Sequence, residues 1–416
     1  MALFKPVSIS LSPNTELDDI FLAFKLQFLP WLWQKGKAID ELERKFQDYI
    51  GMDYAVSFNS GRSALTAILG SLDLNIEDEI LLQAFTCNAV VNPILWLGLK
   101  PKFVDCNEET LNLDTDDLER KISPRSKVLI VQHTFGIPAQ MEKIIEVCQK
   151  NNLTLIEDCA HSLGATYKEK KVGTFGKAAF FSFSRDKVIS SVYGGIATTN
   201  DLGLAARIKI FQEKFDYPLN SWIFQQLLHP IIMNLVILPS YKIFGKYLLM
   251  LLQNLHILSK AVHWKEKIGK KPEYFPKSMP NALSMLALKQ LTKIDRFNKR
   301  RKELADFYIG ALKDNKNFQI VKNSEGGIFL RFVIKHPRAH EIIKKAWKDN
   351  ILIGDWYDSV IAPKDTKLDT MQYVDGSCPV AEKLSMETFN LPTHINISDK
   401  DADGIVFFLR KWTFER

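Results

Sequence analysis

The sequence predicts an α/β fold: a large domain with a seven-stranded, mostly parallel sheet sandwiched by helices, plus a small C-terminal α+β domain. Three observations carry this. Seven short runs rich in Val, Ile, Leu or Phe fall at 55–58, 80–83, 102–105, 127–132, 154–157, 178–182 and 195–199. Several are apolar throughout, as strands buried on both faces are. Amphipathic stretches separate them, for example 141–150 with Ile144, Ile145 and Val147. After 281 the rhythm changes. One long helix or two run to 312 with Lys299, Arg300, Arg301 and Lys302 in the middle. A strand-like run at 328–334, a helix near 340–348 and a last helix near 400–411 follow. The expected division is 1–214 for the large ligand-binding domain, 215–277 for an apolar and basic helical insertion, and 278–416 for the small domain.

Bulk properties narrow the class. The 416 residues are 46% hydrophobic and 25% charged, ordinary for a globular protein. The +7 charge, from 55 basic and 48 acidic residues, is mild for this length and suits an anionic small molecule or surface. No motif of a nucleic-acid reader is present, so a nucleic-acid partner is not expected. Cys87, Cys106, Cys148, Cys159 and Cys378 are odd in number and form no CxxC pair, which predicts free thiols in a reducing compartment. The start, MALFKPVSISLSPNTELDD, has no long apolar stretch after a basic one. A cytoplasmic protein is expected, and no metal site.

The stretch 222–259 stands apart. Apolar residues dominate it, interrupted by Pro230, Pro239, Gly245 and Lys246, and no uninterrupted run reaches the ~18–20 residues of a spanning helix. Lys260, Lys265, Lys267, Lys270 and Lys271 follow. A helical hairpin over a dimer surface or a site mouth accounts for the pattern, and so does a shallow contact of 222–271 with anionic lipid.

Three motifs carry chemistry. Ser60-Gly61-Arg62-Ser63-Ala64-Leu65 follows the first strand run and opens a helix. Free amides and the positive helix end there suit a phosphate, though any Ser-capped turn looks the same. Glu157-Asp158-Cys159-Ala160-His161 puts two carboxylates at a buried strand end, where open α/β sheets hold ligands. A buried carboxylate needs a partner, such as a protonated ring nitrogen; a helix cap at Asp158 is the plainer reading. Ser182-Phe183-Ser184-Arg185-Asp186-Lys187, followed by Gly194-Gly195, places a lysine just past another strand. Desolvation makes such an amine a nucleophile towards carbonyls.

The order and spacing of these motifs resemble the DegT/DnrJ/EryC1/StrS family of sugar aminotransferases, which are fold-type I enzymes dependent on pyridoxal 5'-phosphate. Residues 36–43, 49–51, Asn281, Gln290-Leu291 and Cys378-Pro379 fit the same family pattern. The resemblance implies that Lys187 carries the cofactor as a Schiff base and moves the substrate proton. It implies that Asp158 pairs with the pyridine nitrogen, that Ser60, Gly61, Arg62, Ser63 and Ser182 hold the phosphate, and that His161 flanks the ring. It further implies a homodimer and amino transfer, from glutamate, to a keto-sugar linked to a nucleotide. Lys187 favours transamination over the dehydration carried out by relatives with histidine at that position. Three alternatives stay open: the same fold acting on a lipid-linked or cyclitol ketone, a sugar dehydratase, and a non-catalytic scaffold working through the insertion.

Departures from the pattern bear on substrate. Arg62 replaces the usual Thr. Cys87 stands where the family stacks an aromatic on the ring, which makes Phe85 the candidate stacker. The loop 274–279 lacks the family's Asn and Arg. Together with 355–359 it governs substrate choice in this reading.

Overall fold

A computed structural model describes residues 5–321 and 325–412. Its main sheet has seven strands: β1 (Tyr54–Phe58), β2 (Glu79–Gln83), β3 (Lys100–Val104), β4 (Ser126–Gln132), β5 (Thr154–Asp158), β6 (Ala178–Ser182) and β7 (Gly195–Thr199). Their order is β1-β7-β6-β5-β4-β2-β3. All neighbours run parallel except β7, which is antiparallel to β6 and β1. The expected fold class is therefore the observed one.

This topology positions the site. Phe180 lies opposite Asp158, and Gln132 lies opposite Asp158 on the other side. Because β7 runs backwards, its first residue, Gly195, meets both Ser182 and Phe58. The ends of β1, β5 and β6 and the start of β7 thus share one edge, and all three motifs hang from it. Helix Gly61–Gly70 leaves that edge and buries Leu65, Ile68 and Leu69 against the sheet. A Cβ on Gly195 would run into the Gly61 amide, so glycine is needed for this close approach.

The small domain has an antiparallel three-stranded sheet, Gln319–Ile320, Arg331–Lys335 and Thr388–Pro392. Helices Ile294–Leu312, Ala339–Lys348 and Asp399–Trp412 cover it. The 281–312 stretch is two helices, broken between Leu291 and Ile294. Val7–Ser8 pairs in parallel with Ile351–Leu352, so the first described residues join the small domain's side of the molecule.

The insertion is helical from Asn220 to Asn254, 35 residues that are long and apolar enough on average to cross a membrane. It does not run straight. Eight residues of straight helix span ~12 Å, yet Gly245 abuts the carbonyl of Ile237. Pro239 leaves one donor out of the ladder, and Ser240 departs to φ −106°, ψ 8°. The run folds back into a hairpin around a small core of Met233, Ile237 and Leu258, with Leu248, Leu249 and Leu252 packed on it.

Candidate active site

A cavity of about 700 Å³ opens at the shared strand edge. Asp158, His161, Lys187, Ser182, Ser60, Gly61 and Arg62 all border it. Two residues named from sequence do not. Ser63 is fully buried, its hydroxyl donating to Asn59 Oδ1 at 2.7 Å and its amide bonded to Ser60 Oγ at 3.1 Å. Phe85 is likewise buried, because a backbone φ of +63° turns its ring into the core against Tyr357. Cys87, not Phe85, faces the cavity.

The Lys187 amine lies 2.8 Å from His161 Nε2. Burial, then the charges of Lys187 and Arg331, hold His161 well below the usual histidine range, so the ring is neutral and accepts from the ammonium. Its ring lies nearly parallel to those of Phe135 and Tyr357, with centroids at 5.8 and 6.0 Å. Asp158 takes the Ala160 amide at 3.0 Å and has no ion pair with a cationic side chain among the described residues. Burial lifts its carboxyl to about 6. Glu157 points the other way. It takes the amides of Gly173, Phe175 and Gly176 at 2.6–2.7 Å and bonds His133 Nε2 at 3.1 Å, so it anchors a loop.

At the phosphate turn, Ser60 caps helix Gly61–Gly70. The Ser63 and Ala64 amides are taken by Ser60, while those of Gly61 and Arg62 have no partner among the described residues. Gly61 lets Ser182 approach, since an added Cβ would sit 3.0 Å from Ser182 Cβ. The Arg62 side chain is not free for a ligand. It pairs with buried Glu266 at 3.0 Å and donates to the Ala261 carbonyl at 3.1 Å.

Other residues escaped the sequence reading. Asn14 Nδ2 donates to the backbone carbonyls of Lys187 and, at 3.2 Å, Val188. Arg301, fully buried, donates to Asn14 Oδ1 at 2.9 Å and to the Val188 carbonyl at 2.8 Å. Arg331 reaches Asp186, the neighbour of Lys187, at 2.7 Å. Arg185 bonds both the carbonyl and the hydroxyl of Ser259. No local pattern announces these contacts, because their partners lie far apart in the chain.

A phosphorylated pyridine aldehyde fits this donor set. Among the described residues the strand-end carboxylate lacks a cationic partner and two helix-start amides are free, and the Lys187 amine borders the same cavity. His161 Nδ1 is buried without a partner among the described residues, as a polar atom awaiting a ligand would be. The DegT/DnrJ/EryC1/StrS aminotransferase family model matches residues 28–215 and 255–410. The chain belongs to this family. It is a pyridoxal phosphate-dependent aminotransferase. Similar relatives include the GDP-perosamine synthase of Escherichia coli O157:H7, 31% identical over 89% of each chain. The Caulobacter vibrioides GDP-perosamine synthase is 38% identical over 44% of this chain and 49% of its own. In fold, the aminotransferase PseC of Helicobacter pylori matches with TM-score 0.75 at 21% identity, covering 98% of this chain and 99% of that one. An E. coli GDP-4-keto-6-deoxy-D-mannose-3-dehydratase with bound hydrated PLP matches with TM-score 0.75 at 19% identity, over 98% and 100%. Residues 216–254, most of the hairpin, fall outside the family match.

Proposed function

We propose that this enzyme moves an amino group from glutamate to a keto-sugar carried on a nucleoside diphosphate, as a cytoplasmic homodimer. The observation that carries the reading is the Lys187–His161–Asp158 set at one strand edge, in a chain whose relatives include GDP-perosamine synthases. When bound, the cofactor would supply an electron sink for the substrate carbon. Lys187 would hold the cofactor through Nζ, and the same Nζ is placed to take the proton from the substrate carbon. Neutral His161 accepts a hydrogen bond from Lys187 Nζ and so orients the amine. Asp158 offers its carboxylate to the ring nitrogen and keeps that nitrogen protonated. The Gly61 and Arg62 amides, with the Ser60 and Ser182 hydroxyls, hold the phosphate at the helix start. Arg62 orders the turn through Glu266. The free state of all five cysteines fits a reducing compartment.

The test is the visible absorption of the cofactor-loaded protein. A lysine-linked band that bleaches with glutamate, and returns with a nucleotide-linked keto-sugar, supports the reading. A loaded protein in which glutamate leaves the band unchanged refutes glutamate as donor.

Two surfaces support assembly. Helix Leu17–Gln27 exposes Phe21 and Phe24, with Phe28 and Trp31 just beyond it, a face suited to a second copy. The hairpin exposes Ile243, Phe244, Met250 and Leu251. No Asp or Glu occurs between Asp216 and Glu266, whereas Lys242, Lys246, Lys260 and Lys265 do. This favours a contact with anionic lipid, checked by vesicle flotation.

A further inference from the structure

The cavity is longer than the cofactor site requires. Beyond Lys187 it continues under the hairpin, where Tyr241, Lys242, Lys246 and Tyr247 border it, and to the end of helix Ala339–Lys348, where Trp347 and Lys348 do. The arginines of the inner half are engaged, and Asp158 and Asp355 are the cavity's carboxylates without an ion pair among the described residues. Arg62 pairs with Glu266, Arg331 pairs with Asp186, and Arg185 is bonded to Ser259. Lys242, Lys246 and Lys348 have no ion-pair partner among the described residues. Lys242 and Lys246 lie four residues apart, a spacing at which like charges repel unless an anion sits between them. Nearby, His229 of the hairpin's first arm is 5% exposed, borders the same cavity, and has an Nδ1 without a partner among the described residues.

We propose that the insertion builds a diphosphate-binding subsite onto the outer end of the active-site cavity, with Lys242, Lys246 and Lys348 as its cations. The subsite rests on the keto-sugar reading above and adds what lies beyond the sugar. A diphosphate needs two or three cations and no competing carboxylate. The carboxylate-free stretch from 217 to 265 meets the second condition on the hairpin side. Tyr241, Tyr247 and Trp347 give this end aromatic walls, suited to a base stacked beyond the diphosphate. The hairpin is pre-positioned. Arg185 clasps Ser259, Tyr193 donates to the Lys260 carbonyl at 2.7 Å, and Gln226 accepts from Ser259 at 2.7 Å. Residues 242 and 246 lie in the segment outside the family match, whereas Lys348 lies inside it.

Calorimetric titration of the cofactor-loaded protein tests the subsite. The probes are inorganic pyrophosphate, a nucleoside diphosphate and a short-chain isoprenyl diphosphate. Pyrophosphate is expected to bind the wild type, with Kd rising at least tenfold in Lys242→Ala/Lys246→Ala and again in Lys348→Ala, and with increasing salt. Tighter binding of the nucleoside diphosphate identifies a nucleotide carrier; tighter binding of the isoprenyl diphosphate identifies a lipid one. Lys242→Arg/Lys246→Arg should restore affinity if charge is what matters. An unchanged Kd in both alanine variants, with the cofactor band intact, overturns the proposal. Binding is the readout, so the result stands whether or not amino transfer is detected.

Discussion

Lys187 Nζ stands 2.8 Å from His161 Nε2, and the ring it meets is held neutral by burial. A neutral ring accepts from the lysine amine and orients it, and a hydrogen bond to a charged group contributes about 1.5–3 kcal/mol. His161→Phe keeps an aromatic face and removes the acceptor. The expected result is retained cofactor with amino transfer slowed roughly tenfold to a hundredfold, the equivalent of that energy. Lys187→Ala removes the base as well as the covalent link. The lysine-linked band should vanish and the rate should fall by ~10²–10⁴-fold or more. Single-turnover kinetics with glutamate distinguish the two variants, and equal rates for His161→Phe and wild type would exclude a role for the contact.

Asp158 gives a test that needs no substrate. In cofactor-free protein, burial lifts its carboxyl from an ordinary 3.8 to about 6. Between these values the folded chain holds a proton that the unfolded chain has released. Its effect on stability therefore worsens as pH rises through that window, reaching a cost of about 3 kcal/mol at pH 7. Asp158→Asn should stabilise the cofactor-free protein at pH 7 by up to about 3 kcal/mol and make no difference below about pH 4. The same variant should bind the cofactor more weakly, because the ring nitrogen loses its anion. Urea unfolding at both pH values reads the first effect. A variant no more stable than wild type at pH 7 contradicts the argument.

Arg62 and Glu266 form a pair whose carboxylate is fully buried and whose guanidinium is nearly so. Removing one partner of a buried pair costs about 3–5 kcal/mol, because the other charge stays uncompensated. Glu266→Ala is expected to lose that much and to loosen the phosphate turn. Arg62→Met/Glu266→Leu should be much closer to wild type. A double-mutant cycle by denaturation measures the coupling, and additive effects would show that the pair does not order the turn.

How much of this was legible in the sequence depended on distance along the chain. The strand runs and the three motifs were readable because a parallel sheet brings successive strand ends to one edge. Asp158, Ser182 and Gly195 meet there by register alone. Side-chain direction was less readable. Ser63 turns to Asn59 because the helix start places it on the buried face, and the left-handed backbone at Phe85 sends its ring inward. Asn14 and Arg301 were invisible, since the two are 287 residues apart and neither carries a local signal. The hairpin's fold-back was half readable. Pro239 and Gly245 marked the interruption, but nothing local showed that Gly245 would rest on Ile237.

Asn14 is the most direct support of the Lys187 backbone. It donates to the carbonyls of Lys187 and Val188 and accepts from Arg301. Burial lowers the Arg301 guanidinium to about 9, so this cation has little spare solvation to fall back on. Asn14→Ala takes one acceptor from the buried Arg301 and frees the Lys187 carbonyl, while the Val188 carbonyl keeps Arg301, at a cost of about 1–3 kcal/mol for each unsatisfied group. The expected outcome is lower denaturant resistance and a reduced kcat, with the lysine-linked band present and KM little changed. Asn14→Asp, which keeps the acceptor for Arg301 but loses the donor, should recover stability more than rate. If rate and stability recover together, Asn14 acts on the fold and not on the placement of Lys187.

The hairpin tip permits a test that separates lipid from protein as its partner. Ile243, Phe244, Met250 and Leu251 are each more than half exposed, and Lys242 and Lys246 lie on the same arm. Apolar side chains gain about 25 cal/mol per Å² on leaving water, and each lysine near an anionic surface adds about 1 kcal/mol. Together these predict flotation with vesicles containing phosphatidylserine or phosphatidylglycerol, weakened by salt, and little flotation with neutral phosphatidylcholine. Phe244→Glu/Met250→Glu introduces carboxylates into a stretch that has none and should abolish flotation while leaving the dimer intact. If that variant instead becomes monomeric by sedimentation, and the wild type stays at the bottom with anionic vesicles, the exposed tip is a face for a second copy and not for lipid.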